Sequence, residues 1–251
     1  VIDHVLALFP FEPPYMQAAG MDCDFVGHPV VSEPQPSAED VAKFRVQYGM
    51  EAADPLLLVL PGSRKGEVSR LAPRLGAALA PVLAAHPGLR VVVPAAAPVA
   101  DMVIAAVADW PLVPKVLDPR GLDVETAAHA KRVAFAAADA ALAASGTVAL
   151  ELAAADTPMV SAYDMNWLSR RIVQRMMQID TANLINIVSD TRTVPEFIGA
   201  QCRSDLIAQG VLDLLQDPAP QRAAMQTTMD LLGRNGEDPG LRAARAVLAR
   251  L

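Results

Sequence analysis

Hydrophobic residues along this chain follow two alternating spacings. Short apolar runs occur at residues 5–9, 56–60, 90–93, 140–144 and 158–162. Between them, apolar residues recur every three or four positions, which is the spacing of an amphipathic helix. Strands that alternate with helices are typical of βα units around a parallel sheet, so the pattern predicts an α/β fold.

Two further stretches mark boundaries between elements. Residues 31–38 hold two prolines among polar residues and predict a linker. A helix is predicted from Ser204, its expected N-cap, to a point just before Pro218. Its expected apolar face consists of Leu206, Ile207, Val211, Leu214 and Leu215.

Composition narrows the functional classes. Aromatic residues make up 4% of the chain and alanine runs are frequent, which favours helices packed closely on a sheet. A formal net charge of −7 argues against a general attraction to nucleic acid, because neutralising phosphates needs a basic face. No cluster of His, Cys, Asp and Glu has metal-ligand spacing, and no apolar run reaches the roughly 18 residues of a membrane span. The sequence predicts a soluble or membrane-peripheral protein without a bound metal.

The first candidate site is the turn Pro61-Gly62-Ser63-Arg64, which follows an apolar run and precedes a helical pattern. A glycine turn between a strand and a helix presents backbone N–H groups and the positive end of the helix dipole, which suits a phosphate. Arg64 adds a planar guanidinium that can grip a diphosphate. The alternative is an ordinary βα turn whose charges are solvated.

The second candidate site is the segment Ser145-Gly146-Thr147, which also follows a strand and opens a helix. Ser145 or Thr147 can cap this helix, but neither has Glu or Gln three residues later, so Glu151 does not belong to a capping box. From the first helical turn, the Glu151 carboxylate can accept hydrogen bonds from both hydroxyls of a ribose. The alternative is an acid placed there for the helix dipole.

Three other features remain open between structure and function. Asn183 and Asn186 can either satisfy buried backbone groups or orient a polar ligand, and without context the structural role is favoured. His28 lies where the chain leaves its first unit and can reach a cleft. Residues 165–179 have apolar residues at helical spacing with Arg170, Arg171 and Arg175 among them, which is typical of a helix at an anionic lipid surface. A core helix or a homodimer contact is the alternative for that segment.

Several segments, in the same order, resemble the lipid-A-disaccharide synthases over nearly the whole chain. They are the segments Val5–Pro13, Phe25–Pro29, Leu58–Arg64, Ala144–Glu151, Pro158–Val160, Tyr163–Met165, Asn183–Asn186 and Val194–Phe197. The resemblance implies a GT-B arrangement of two Rossmann-like domains that face each other across a cleft. Residues 1–32 are then the end of the N-terminal acceptor-side domain, residues 33–235 the UDP-sugar donor-binding domain, and residues 236–251 a helical tail.

The resemblance also implies an activity. The family transfers 2,3-diacylglucosamine from UDP to 2,3-diacylglucosamine 1-phosphate, with inversion and without metal or cofactor, and gives a β-1,6-linked disaccharide and UDP. Because these substrates are membrane lipids, we expect a protein on the cytoplasmic face of the bacterial inner membrane. The chain starts at Val1 inside a predicted strand, so we expect that an N-terminal portion is missing and that this chain binds UDP without making disaccharide.

Roles carried over from the family concern six positions of the two turns and three beyond them. Arg64, beside Gly62 and Ser63, is expected to bind donor or acceptor phosphate, and Glu151 to hold the ribose. The segment Ser145-Gly146-Thr147 is expected to present a helix N-terminus to the diphosphate, where charge develops as UDP leaves. Asn186 matches a polar residue that supports activity, and His28 is a further expected contact. No base is assigned.

Three positions differ from the family pattern, and two other functions are compatible with the sequence. Asp156 stands where the family usually has glycine, and Asp164 and Trp167 also differ from its typical residues. A UDP-N-acetylglucosamine 2-epimerase, or another GT-B enzyme, shares the arrangement of strand, turn, helix and glutamate. A nucleotide-binding fragment without catalysis is the other alternative. Product analysis separates the first of these from a transferase, because an epimerase leaves UDP attached to the sugar.

Overall fold

The computed structural model describes residues 2–51, 54–144, 146–164 and 180–250 of the chain. In these ranges, eight strands form two parallel sheets, one with the order β1-β2 and one with the order β5-β4-β3-β6-β7-β8. The strands are β1 (His4–Ala7), β2 (Asp22–Phe25), β3 (Leu56–Leu60), β4 (Arg90–Pro94), β5 (Lys115–Leu117), β6 (Ala140–Ala144), β7 (Met159–Tyr163) and β8 (Glu196–Ile198).

Helices connect most of these strands. They are α1 (Glu12–Ala18), α2 (Ala38–Gln47), α3 (Lys65–Ala85), α4 (Ala100–Val107), α5 (Val124–Ala137), α6 (Val148–Ala154), α7 (Leu184–Ser189), α8 (Ser204–Gln216), α9 (Ala219–Leu231) and α10 (Pro239–Leu248). Short 3-10 turns lie at Pro29–Ser32, Ala97–Val99 and Gly199–Gln201. None of the helices within the described ranges combines the length and the apolar character that crossing a membrane requires.

The six-stranded sheet separates two hydrophobic clusters. Helices α2, α5, α6, α7 and α9 pack on one face, and α3, α4 and α8 pack on the other. Every residue of β3 and β6 is buried, as expected for central strands covered on both sides. The contact between α3 and Trp110 is close: a Cβ on Gly76 would lie 2.3 Å from the indole. Glycine at this position thus allows the Trp110 ring to pack directly against α3.

All five predicted strands are present, and the α/β prediction is confirmed. The first strand ends at Ala7 and not at residue 9, and three short strands, β2, β5 and β8, were not predicted. Helix α8 begins at Ser204, but Arg203 occupies the N-cap position with extended φ and ψ of −113° and 139°. The expected cap at Ser204 is therefore wrong by one residue, because the chain enters the helix directly after Arg203. The predicted linker is also shorter, because residues up to Ser32 form a 3-10 turn.

The strand order places a crevice between β3 and β6. From β3 the chain builds outward through β4 and β5, and it then returns beside β3 with β6 and builds outward in the opposite direction. The connections that follow β3 and β6 therefore diverge at the carboxyl edge of the sheet. Ligands of open α/β sheets bind at such a reversal.

The last helix contacts the two-stranded unit at the start of the chain. Arg242 of α10 donates to the carbonyl of Phe25 at 2.6 Å, and its guanidinium lies 5.1 Å from the Phe25 ring centroid. The backbone N–H of His28 donates to the Leu232 carbonyl at 3.1 Å. Residues beyond 235, predicted as a separate tail, thus pack against the first unit, while the predicted domain division itself stays a prediction.

Candidate functional site

A cavity of about 880 Å³ opens at the carboxyl ends of β3 and β6, where the strand order reverses. Two turns, two helices and the loop after β5 form its walls. Its polar and charged lining includes Ser63, Arg64, Glu67, Lys115, Asp118, Lys131, Thr147 and Glu151, with Gly62 and Gly146 in the two turns. The structure therefore brings together both candidate turns of the sequence and the acid predicted to accompany them.

The first turn depends on a glycine and on a carboxylate. Gly62 has φ of +116°, and a Cβ there would lie 2.6 Å from the Cβ of Glu67, so only glycine fits. Glu67 accepts hydrogen bonds from the backbone N–H groups of Ser63 at 3.1 Å and Arg64 at 3.3 Å. Its other oxygen accepts from the Arg64 guanidinium at 2.8 Å.

This geometry corrects one expectation for the first turn. The sequence predicted free N–H groups for a phosphate, but Glu67 already satisfies those of Ser63 and Arg64, because it lies three residues after the N-cap Arg64. The Arg64 side chain, in contrast, is 81% exposed and lies at the cavity wall. A ligand anion would therefore meet the guanidinium before it meets the backbone of this turn.

The second turn is arranged differently. Thr147 occupies the N-cap position of α6 with φ of −63°, and its side chain makes no capping hydrogen bond within the described part of the chain. Gly146 lines the cavity and has open space where a Cβ would lie. Ser145, the third predicted contact of this turn, lies outside the described residues. Of the two caps that the sequence allowed, Thr147 does not cap α6 and Ser145 stays a prediction, while Gly146 and Thr147 both line the cavity.

Glu151 lies in the first turn of α6 and takes part in an ion pair that the sequence did not predict. Its Oε2 lies 2.6 Å from Nζ of Lys131, which projects from α5. Both side chains line the cavity and are partly buried, with exposed fractions of 30% and 39%. Glu151 is not part of a capping box, as the sequence predicted. No local sequence signal links it to a lysine 20 positions earlier.

One wall of the cavity, formed by β5, the loop after it and the first half of α5, is more apolar. Leu117, Leu122, Ala127 and Ala128 line it, and the Lys115 ammonium lies there 5.2 Å from the ring centroid of Tyr48. At the rim, hydrogen bonds from Arg120 hold the pKa of Asp118 below its usual value. A planar ring fits against this wall, because most of it is hydrocarbon, and Lys115 and Asp118 add polar groups.

Asn186 and His28 lie elsewhere. Asn186 is buried, and its amide donates to the Val194 carbonyl at 2.9 Å and accepts from the Val194 N–H at 3.0 Å. His28 caps the 3-10 turn by accepting from the Val30 N–H at 3.1 Å, and burial lowers its pKa. Neither residue lines the cavity, so their expected contacts with substrate stay predictions, while the structure shows a local scaffolding role for each.

Two other observations bear on the chemistry. Among the residues described, no group of three His, Cys, Asp or Glu side chains is arranged to hold a metal ion. Asp164, which departs from the family pattern, is buried at the end of β7 and pairs with Arg74 at 2.6 Å. Trp167 and the basic segment at residues 165–179 lie outside the described ranges.

Comparison of sequences gives consistent matches. A family model described as lipid-A-disaccharide synthetase matches residues 1–246. The lipid-A-disaccharide synthase of Ruegeria pomeroyi is 61% identical, over 100% of this chain and 62% of its own length. That of Rhodospirillum centenum is 43% identical, over 98% of this chain and 60% of its own length. The chain thus spans about 60% of the length of these curated relatives.

Solved structures share the fold at low sequence identity. HepE of Anabaena, in complex with UDP and glucose, is 13% identical with a TM-score of 0.56 and covers 99% of this chain and 64% of its own. The UDP-GlcNAc 2-epimerase of Neisseria meningitidis, bound to UDP-GlcNAc, is 10% identical with a TM-score of 0.56 and covers 97% and 60%. Heptosyltransferase II of E. coli is 15% identical with a TM-score of 0.50 and covers 73% and 53%. The likeness concerns the fold alone, and it confirms the predicted GT-B type.

Proposed function

Because this chain belongs to the lipid-A-disaccharide synthetase family, we propose that it carries the sugar-nucleotide site of a glycosyltransferase that makes the lipid A disaccharide. The donor is UDP-2,3-diacylglucosamine, and the acceptor is 2,3-diacylglucosamine 1-phosphate. The acceptor 6-hydroxyl attacks the anomeric carbon, the bond from that carbon to UDP breaks, and the hydroxyl proton passes to a base. None of the residues described here is assigned as that base.

The cavity supports this proposal through the order of its lining groups. Arg64 and the turn at Gly146 and Thr147 lie on neighbouring strand ends, where they can bind the diphosphate between them. Glu151 lies one helical turn further along and can accept from ribose hydroxyls. The apolar wall beside Leu117 then remains for the uracil ring of the nucleotide. Charge develops on the diphosphate as UDP leaves, so a guanidinium and a helix N-terminus favour that step.

The single observation that carries the proposal is that both turns and Glu151 line one cavity at the strand reversal. It is tested by calorimetry of this chain with UDP and with inorganic pyrophosphate. Glu151→Gln should weaken UDP about tenfold, because a hydrogen bond to a charged group contributes roughly 1.5 kcal/mol or more. Pyrophosphate, which has no ribose, should lose little affinity.

The matched control is Glu39→Gln, which also breaks a glutamate–lysine pair, with Lys43 at 2.7 Å, but on an exposed helix. Its affinity for UDP should equal that of the unchanged chain. If Glu151→Gln weakens both ligands equally, or neither, Glu151 does not bind the ribose. If the chain binds no UDP although a cooperative thermal transition shows that it is folded, the assignment of the donor site is wrong.

Product analysis separates transfer from epimerisation. A transferase releases UDP as the disaccharide forms, whereas an epimerase returns a UDP-sugar. The family match over residues 1–246 favours the transferase. Chromatography of the lipid and nucleotide products of the complete protein gives the answer.

We also propose that the protein acts at the cytoplasmic face of the inner membrane, where both lipid substrates would lie. Support comes from sequence alone, because the basic segment at residues 165–179 falls outside the described ranges. Replacing Arg170, Arg171 and Arg175 by Gln should release the protein from anionic vesicles, since each basic residue near such a surface contributes about 1 kcal/mol. Unchanged sedimentation would favour a core helix or a homodimer contact.

A further inference from the structure

We propose that Lys131 is a positioning residue for Glu151, and that it fixes the carboxylate so that ribose is distinguished from deoxyribose. The inference rests on the proposed function, since it assigns Glu151 to the ribose. Lys131 acts through its neighbour in this proposal and does not itself bind the nucleotide.

The contact that carries the inference joins two walls of the cavity. Nζ of Lys131 on α5 lies 2.6 Å from Oε2 of Glu151 on α6. The described residues offer Oε1 of Glu151 no hydrogen-bond partner, so that oxygen remains available to a ligand in the cavity. A lysine ammonium is a compact point charge, so it can engage one carboxylate oxygen and leave the other.

The lysine is itself held in place. Its ammonium lies 5.3 Å from the ring centroid of Phe135, one turn further along α5, and Phe135 is 2% exposed. The Lys131 ammonium is thus held near a buried ring of its own helix as well as beside Glu151. Without the lysine, the Glu151 side chain could rotate among its rotamers, and binding ribose would then cost the entropy of ordering it.

A direct role in phosphate binding is the competing explanation, because an ammonium in a nucleotide cavity can also contact a diphosphate. The two explanations differ in what they predict. If Lys131 binds phosphate directly, its removal lowers the affinity for UDP, 2′-deoxy-UDP and pyrophosphate alike. If Lys131 acts only through Glu151, its removal weakens UDP most, weakens 2′-deoxy-UDP less because only the 3′-hydroxyl remains, and leaves pyrophosphate unchanged. When Glu151 is replaced as well, removing Lys131 has no further effect.

The experiment is a double-mutant cycle followed by calorimetry with UDP, 2′-deoxy-UDP and inorganic pyrophosphate. Lys131→Met keeps the apolar stem over Phe135 and removes the charge. We expect it to lower the preference for UDP over 2′-deoxy-UDP about twofold to fivefold, in the range of a partly exposed ion pair. Glu151→Gln should remove the preference, and the double variant should behave as Glu151→Gln alone.

The matched control is Lys43→Met, which removes an exposed lysine from its pair with Glu39 and should leave the preference unchanged. If Lys131→Met weakens pyrophosphate as much as UDP, the lysine binds phosphate and the proposal is wrong. If Lys131→Met lowers the preference further in a chain that already carries Glu151→Gln, the lysine does not act through Glu151. If Glu151→Gln leaves the preference intact, the ribose assignment fails first, and this inference fails with it. Lys131→Gln serves as a second variant should the first lose its thermal transition.

Discussion

The turns after β3 and β6 occupy equivalent places at the ends of neighbouring strands, yet their backbone N–H groups differ in the hydrogen-bond acceptors they meet. In the first turn, Glu67 accepts from two N–H groups and from the Arg64 guanidinium. In the second, Thr147 stands at the N-cap without a capping hydrogen bond from its side chain. Glu67 thus satisfies two backbone N–H groups of the first turn, whereas Thr147 caps none in the second.

The difference assigns different tasks to two segments that look alike in sequence. Both follow a buried strand, contain glycine and open a helix. The first turn is rigid, because its glycine has a left-handed φ and its acid satisfies the backbone, and it delivers an exposed guanidinium. The second turn places Gly146 and Thr147 at the cavity wall beside Glu151. Substitutions in each turn test this division of roles.

Replacing the glycine of each turn by alanine should give the largest contrast. Gly62→Ala should lower the free energy of unfolding by at least about 2 kcal/mol, because alanine is strained at positive φ and its Cβ would meet Glu67. Gly146→Ala meets nothing within 4 Å and should change stability by less than about 0.5 kcal/mol. Urea denaturation measures both. Equal losses would show that the two turns are constrained alike.

Removing the exposed guanidinium should affect binding more than folding. Arg64→Ala should weaken UDP about tenfold to a hundredfold, because a charge-assisted contact contributes roughly 1.5 to 3 kcal/mol. The control Arg90→Ala also loses an ion pair, with Asp54 at 3.2 Å, but at the start of β4, away from the cavity. Calorimetry that finds the same affinity for both variants would remove Arg64 from the site.

The caps of the two turns offer a third test. Glu67→Ala should lower the free energy of unfolding by about 1 kcal/mol, which is typical of a lost helix cap. Thr147→Ala should lower it much less, because this side chain does not cap α6. If the threonine variant loses as much stability as the glutamate variant, the second turn is capped in solution, and the contrast between the turns disappears.

The sequence sufficed for the parts of the fold and the site that depend on local pattern. Buried central strands such as β3 and β6 are uniformly apolar, and glycine turns between strand and helix are visible in one dimension. Short edge strands escaped prediction, because the three residues of β5 or of β8 carry no periodicity. The position of Glu151 without a capping role was predicted correctly from the spacing of its neighbours.

Contacts between distant segments were beyond the sequence. Lys131 meets Glu151 only because the fold brings their side chains together from two different helices. Glu67 was available to local reasoning, since an acid three residues after the N-cap marks a capping box, but with Arg64 at the N-cap the pattern is unusual. Asn186 was assigned to substrate by resemblance, and its bonds to Val194 are visible only in three dimensions.

The smallest expected effect concerns the opposite end of α6, where the departure from the family pattern at Asp156 has a backbone explanation. Asp156 has φ of +56°, a left-handed conformation that glycine adopts without strain. Asp156→Gly should therefore raise the free energy of unfolding by about 0.5 kcal/mol, part of the gain being offset by the greater freedom of glycine in the unfolded chain. The side chain itself contributes little, because its nearest cation, Nε of Arg222, is 3.9 Å away and both groups are about half exposed. Asp156→Ala is the control, since it removes the carboxylate but keeps a Cβ in the left-handed conformation, and it should give no gain. Urea denaturation of both variants decides the matter: a glycine variant that is less stable than the unchanged chain would mean that the carboxylate, and not the backbone, accounts for aspartate at this turn.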